Sequence, residues 1–239
     1  MMGYMKQFLE RSTNNNISVY IDNNKDIELI FRQLENRKIP KSYSKDFYRN
    51  SVSSLITITL RNIYNRRYAF PLISKDWTEY LVKNIIKDSK CLEIMSGSGM
   101  LSYALLEAGA TIISTDNFEW SENIDHYSNW KRKTFTHIEV MDAIDAIKKF
   151  GKEVEFIIMS WPPYNEPIAY EVLKTMREVN PNLKLIFIGE DYGGCTADDN
   201  FFDNVKEIED KEIINHLDYI NDNLFKSFDG IHDRIFIFK

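Results

Sequence analysis

Apolar positions along this chain change period near residue 90. Before it they recur at helical spacing, and after it short apolar runs alternate with helical stretches. Ile27, Ile30, Phe31 and Leu34 predict a helix over 26–37, capped by Asp26 and stopped by Pro40. A longer helical region is expected over 44–64, burying Phe47, Leu55, Ile58 and Ile63, with strand as the alternative for the β-branched run 56–59. Pro71 disfavours helix at Phe70, so 66–71 reads as an extended crossing. The helix after it is capped by Ser74 and buries Trp77, Leu81, Ile85 and Ile86. Ahead of all these lie a short amphipathic piece (Tyr4, Met5, Phe8, Leu9) and a polar loop, Asn14 to Asn16.

From Cys91 the expected strands are 91–95, 110–115, 135–140, 154–159, 183–188, 211–219 and 234–238. Helices are expected at 100–107, 143–150 and 167–179, with another starting within 196–205, and a polar stretch bearing Trp120, Tyr127 and Trp130 follows the second strand. This alternation predicts an α/β fold: a Rossmann-like, seven-stranded, mostly parallel sheet with helices on both faces and an antiparallel edge from the C-terminus. A helical N-terminal extension, residues 1–73, would precede the core domain, 74–239.

Composition narrows the class. Only Cys91 and Cys195 occur, which leaves no disulfide framework and no paired zinc-ligand motif, and no readable ligand spacing joins His126, His137 and His216, so no metal is expected. No apolar run is long enough for a membrane span and no signal peptide is recognisable, which together predict a cytoplasmic location and no membrane partner. The net charge of −6 divides into +7 over residues 1–90 and −13 over the remainder. The basic third either docks on the acidic part, forms a solvated face or meets a polyanion.

In a sheet of this kind ligands bind beyond the carboxyl ends of the strands. Those ends carry Glu93, Met95, Ser96, Gly97 and Gly99 after the first, Asp116 and Asn117 after the second, Asp142 and Ala143 after the third, Ser160 to Tyr164 after the fourth, and Glu190 after the fifth. Glycines let the main chain approach a ligand, and a carboxylate at Asp116 offers two acceptors to the two hydroxyls of a ribose. Asp142 would accept from an adenine amino group with the Ala143 N–H donating, although taken by itself it reads as a helix cap. A dinucleotide turn would want a third glycine where Ser102 stands.

The acid-x-x-x-Gly-x-Gly pattern of Glu93, Gly97 and Gly99, with Asp116 and Asp142 ending the next two strands, resembles the class I S-adenosylmethionine-dependent methyltransferases over about residues 76–239. Tyr68-Ala69-x-Pro71, Trp161-Pro162-Pro163-Tyr164, Gly189-Glu190 with Gly193 to Asp198, and His232 to Arg234 are similar to a narrower group of methyltransferase-like proteins. The resemblance implies S-adenosylmethionine held by Glu93, Met95, Ser96, Gly97, Gly99, Asp116, Asn117, Asp142, Ala143, Ser160, Trp161 and Pro162, with Tyr68 and Pro71 closing over its methionine end. Tyr164 and Glu190 would position the acceptor, a small molecule or a protein.

Ser160 to Tyr164 also resembles the Pro-Pro loop of amino-methyltransferases that act on nucleic acid, but Trp161 stands before Pro162, and an indole donates without accepting. Nucleic acid is therefore a secondary expectation, as is a protein that binds the cofactor without catalysis. Cys195 reads as a small packing residue, and His232 with Asp233 as an acid–base pair or a hairpin turn.

Overall fold

The computed structural model describes residues 21, 23–51, 53–119 and 133–239. The amphipathic piece at Tyr4 to Leu9, the loop at Asn14 to Asn16, and Trp120, His126, Tyr127 and Trp130 lie outside the described residues.

Strand β1, Lys90–Ile94, sits at the centre because every residue after Lys90 is buried and it pairs on both edges. Beside it lie β2 (Thr111–Asp116) and β4 (Phe156–Ser160); β3 (Glu139–Val140) flanks β2, and β5 (Lys184–Gly189) flanks β4. All these pairs are parallel, and β6 (Arg234–Phe238) closes the other edge antiparallel to β5, giving the order β3-β2-β1-β4-β5-β6.

The strand alternation sorts side chains onto two cores. Cys91, Phe156, Ile158, Ile186 and Ile188 pack on one face; Leu92, Ile94, Ile157, Met159, Leu185 and Phe187 pack on the other. The second face is covered by α6 (Ala143–Phe150), α7 (Ile168–Val179) and α8 (Asp199–Asn204). The first is covered by α1 (Lys25–Glu35), α2 (Lys45–Tyr48), α3 (Ser54–Arg67), α4 (Lys75–Leu81, continued by a π-helical turn at Val82–Ile86) and α5 (Met100–Glu107). Helices thus cover both faces, as the alternation predicts.

The sheet has six strands among the described residues, not seven. Residues 211–219 form helix α9 (Lys211–Tyr219, followed by a π-helical turn, Ile220–Leu224). Asp210 caps it, one carboxylate oxygen accepting the Glu212 and Ile213 N–H groups at 3.0 and 3.2 Å, which outweighs the strand preference of Ile213 and Ile214. Only an isolated bridge, Glu207 to Phe238, extends that edge.

Asn24 rather than Asp26 caps α1, and the helix ends at Glu35 because Arg37 turns to φ 56°. The region expected as one helix over 44–64 is two. Asn50 interrupts it, its side chain accepting from Ser53 N–H while its own N–H donates to Thr57 Oγ1 at 2.9 Å. The helical face of α3 is consequently rotated: Thr57, Leu60 and Tyr64 are buried, whereas Leu55 and Ile58 are 61% and 50% exposed. The strand expected over 135–140 shortens to two residues, since the Phe135 N–H turns to the Ser98 carbonyl.

Tyr64 fixes the extended crossing. Its hydroxyl donates to the Pro71 carbonyl at 3.1 Å and accepts the Ile73 N–H at 3.2 Å, while Trp77 Nε1 donates to Leu72 O at 3.0 Å. Residues 68–71 are thereby held at the carboxyl edge of the sheet. No helix among the described residues is long and apolar enough to cross a membrane.

Candidate active site

At the carboxyl ends of β1, β2 and β4 lies a cavity of about 630 Å³. The chain leaves β1 through a turn whose Met95, Gly97 and Gly99 all have positive φ, 51°, 55° and 72°. Asp116 at the end of β2 locks this turn: Oδ2 accepts the Gly97 N–H and Oδ1 the Phe118 N–H, both at 2.7 Å. Ser96 adds two bonds, from its N–H and its hydroxyl, to the Thr115 carbonyl. Ser98 ties the turn outward, donating its hydroxyl to Tyr68 O and accepting Phe135 N–H at its carbonyl at 2.8 Å.

Glu93 points to the same face as Cys91 and is buried beneath the cavity, where it accepts a bond from Ser102 Oγ, itself bonded by Ser114 Oγ. Burial pushes its pKa up to about 8, more than the Ser102 bonds lower it, with the Asp116 charge adding to the rise. Glu93 is therefore largely a neutral acid at pH 7. Asp142 plays both roles open to it: it caps α6 by accepting the Ile144 N–H at 2.8 Å, and it lines the cavity with Ala143.

The opposite wall comes from β4. Trp161 follows Ser160 with φ 52°, its N–H bonded to Ile188 O at 2.7 Å. Its ring stacks on Phe70 at 5.4 Å and 19°, and its Nε1 donates to Asp233 Oδ2 at 3.1 Å. Asn165, also at positive φ, is held by the Ala197 carbonyl at 2.8 Å. Tyr164 stands at the rim, 65% exposed. Met95, Gly97 and Gly99 after β1, Phe118 after β2, and Trp161 and Asn165 after β4 gather left-handed backbone along this one edge; in the non-glycine residues it is the strain that accumulates at binding sites.

Of the expected site residues, Tyr68, Pro71, Glu93, Met95, Ser96, Gly97, Asp116, Asn117, Asp142, Ala143, Ser160, Trp161, Pro162 and Tyr164 all line this cavity. Gly99 and Glu190 do not. Gly99 is required by its φ of 72° and by Ile138, whose Cδ1 lies 3.0 Å from where a Cβ would stand. Glu190 is buried with both oxygens occupied, Oε1 by His232 N–H at 2.9 Å and Oε2 by Cys195 N–H at 2.8 Å. Burial raises its pKa, but these bonds outweigh that and leave it below its ordinary value, which makes it a brace between loops and a poor base.

Further residues complete the site. Phe70, Met141, Ile168 and Cys195 line the cavity, and Asp233 anchors Trp161 from behind it. Phe70 and Met141 adjoin Pro71 and Asp142, and that neighbourhood is the signal the sequence holds for them. Asp233 is buried, and burial pushes its pKa up to about 6 against the lowering effect of its hydrogen bonds. His232 and Asp233 are thus not an acid–base pair: one braces Glu190 through its N–H, the other holds an indole. His216 bonds the Tyr80 hydroxyl at 2.9 Å, and the described residues contain no cluster of three or more metal-binding side chains.

No family model and no curated protein matches the chain. Among solved structures it is similar to a SAM-dependent methyltransferase from Agrobacterium tumefaciens (16% identity, TM-score 0.34, covering 48% of this chain and 42% of that one). It is also similar to magnesium protoporphyrin IX methyltransferase from Synechocystis PCC 6803 with bound SAM (14%, TM-score 0.37, 68% and 74% covered). A third is the M1A22 tRNA methyltransferase TrmK of B. subtilis (17%, TM-score 0.36, 69% and 65% covered). This chain spans less than half the length of the first.

Proposed function

We propose that the cavity holds S-adenosylmethionine and that the protein transfers its methyl group to a small-molecule or protein acceptor. The carrying observation is that one cavity is walled by the glycine turn, by Asp116 and Asp142, and by the Pro-Pro loop at once. Its volume, about 630 Å³, falls within the range of about 300–1,000 Å³ typical of small-ligand sites. The residues fit such a ligand. Asp116 lines the cavity with its carboxylate held in place by the Gly97 and Phe118 amides. Asp142 offers its second oxygen at the edge, and Met141 and Ile168 supply apolar wall for a base.

When bound, the sulfonium donor supplies an activated methyl group with its leaving group already in place. The chain's part is alignment and exclusion of water. Pro162 and Pro163 stiffen the loop, the Phe70–Trp161 stack walls the methyl side, and Tyr164 offers a ring to the acceptor. The Trp161 Nε1–H is committed to Asp233, so no side-chain acceptor stands at the position where an amino-methyltransferase of nucleic acid would hold its target amine. Glu190 serves in this reading by fixing the loop over 190–196.

Calorimetry with S-adenosylmethionine and S-adenosylhomocysteine tests the donor half, and absence of binding to both overturns it. Turnover of labelled donor in a lysate distinguishes an enzyme from a binding protein. Tyr164→Ala should leave S-adenosylhomocysteine affinity unchanged and lower kcat/KM about tenfold, equivalent to about 1.4 kcal/mol.

A further inference from the structure

Tyr68 lines two cavities. The second, about 430 Å³, lies on the outer side of the extended crossing and is walled by Glu35, Arg37, Arg67 and Lys133 together with Tyr68 and Phe135. The rings of Tyr68 and Phe135 meet edge to face at 6.3 Å, and the backbone of both is tied to Ser98 in the glycine turn. The wall between the two spaces is therefore anchored on the donor side.

The charge of this second cavity is unbalanced. Among the described residues Glu35 pairs with Arg67, at 3.7 Å, with the two side chains 63% and 53% exposed. Such a pair contributes about 0–1 kcal/mol and yields readily to a stronger partner. Neither Arg37 nor Lys133 makes an ion pair among the described residues. Arg37 moreover sits at φ 56° just past the end of α1, a position that glycine or asparagine fills with less strain. Three cations thus converge on a concavity with one carboxylate, and a dianion would remove their mutual repulsion. Guanidinium groups suit a phosphate because they can grip it through two N–H bonds. The basic bias of the first 90 residues, spread thinly along the sequence, is here partly concentrated: Arg37 follows the end of α1 and Arg67 is the last residue of α3.

We propose that the second cavity is an anion site that seats the phosphate group of a small molecule, on the far side of the Tyr68–Phe135 wall from the first cavity. The anion site stands on its own charges and does not depend on methyl transfer in the first cavity. Its concave form suits one phosphate group rather than the continuous track that a polynucleotide backbone needs.

The test is amide NMR on the full chain, with and without saturating S-adenosylhomocysteine, titrated with inorganic phosphate and separately with acetate. Phosphate should give saturable shifts at Arg37, Tyr68 and Phe135 that weaken as salt rises. Arg37→Asn combined with Lys133→Gln should weaken phosphate at least tenfold and leave S-adenosylhomocysteine affinity within twofold. Both positions are exposed, and asparagine tolerates the left-handed backbone. Phosphate shifts that are scattered, or unchanged in the double variant, overturn the proposal. Acetate binding as tightly as phosphate at these amides also overturns it, assigning the site to carboxylates. So does a short single-stranded oligonucleotide that binds there at least tenfold tighter than phosphate. If S-adenosylhomocysteine fails to bind, the donor reading falls alone and the phosphate titration still decides the anion site.

Discussion

Two turns face each other across the main cavity, and they are held by opposite means. The turn over 95–99 is fixed by nearby groups: glycines accept the left-handed backbone, and Asp116, the end of the neighbouring strand, clamps the Gly97 amide. The turn over 161–165 has no glycine. Its strain at Trp161 is contained by Phe70 on one side and by Asp233 on the other, residues far away in the chain. The first turn offers main-chain amides in a geometry that its own sequence prefers. The second offers an aromatic wall that exists only because the whole fold surrounds it.

Removing the clamp on the first turn should have the largest effect. Asp116→Ala leaves the buried Gly97 and Phe118 amides without their acceptor, and about 3 kcal/mol of stability is expected to be lost in denaturant unfolding. Binding of S-adenosylhomocysteine should fall beyond detection. Retained binding would sever the link between this carboxylate and the ligand.

The second turn should be broken more gently by pH. Burial lifts Asp233 from 3.8 to about 6, so the folded protein holds this proton more tightly than the unfolded chain does. The resulting stability is full below about pH 4 and is lost as pH rises through about 6. Asp233→Asn keeps an oxygen for the Trp161 indole and removes that slope. Relative to the variant, the wild type should therefore lose on the order of 2–3 kcal/mol between about pH 4 and pH 7. Glu93, raised to about 8, slopes in the same direction in both proteins and cancels in the difference. Parallel curves for wild type and variant would show that Asp233 does not titrate in this window.

The smallest effect is expected at Gly99. Alanine there meets Ile138 Cδ1 at 3.0 Å on a backbone of φ 72°, a combination that should destabilise by about 1–2 kcal/mol. As Gly99 is outside the cavity lining, S-adenosylhomocysteine affinity should fall no further than the stability change explains.

The contrast also explains what could be read from the sequence. Gly97, Asp116 and Asp142 were legible because their roles are local: a turn needs glycine, and strand ends place acids in register. The α/β alternation was legible for the same reason. Asp233 and Glu190 were not, because what they do depends on partners 72 and 42 residues away. No spacing rule connects Asp233 with Trp161. The errors in the fold were competitions between nearby preferences: Asp210 turned an apolar β-branched run into α9, and Asn50 split one expected helix into two. Single side-chain caps decided both.

One consequence of the Asp233 anchor concerns time rather than shape. The Asp116 clamp closes a loop of 19 residues, whereas the Trp161–Asp233 bond closes one of 72. The entropy of loop closure makes the longer one dearer by about 1 kcal/mol. During folding the glycine turn can therefore set soon after β1 meets β2, while the aromatic wall waits for β6 to dock on β5. Pulsed hydrogen exchange should find the Gly97 amide protected before the Trp161 indole.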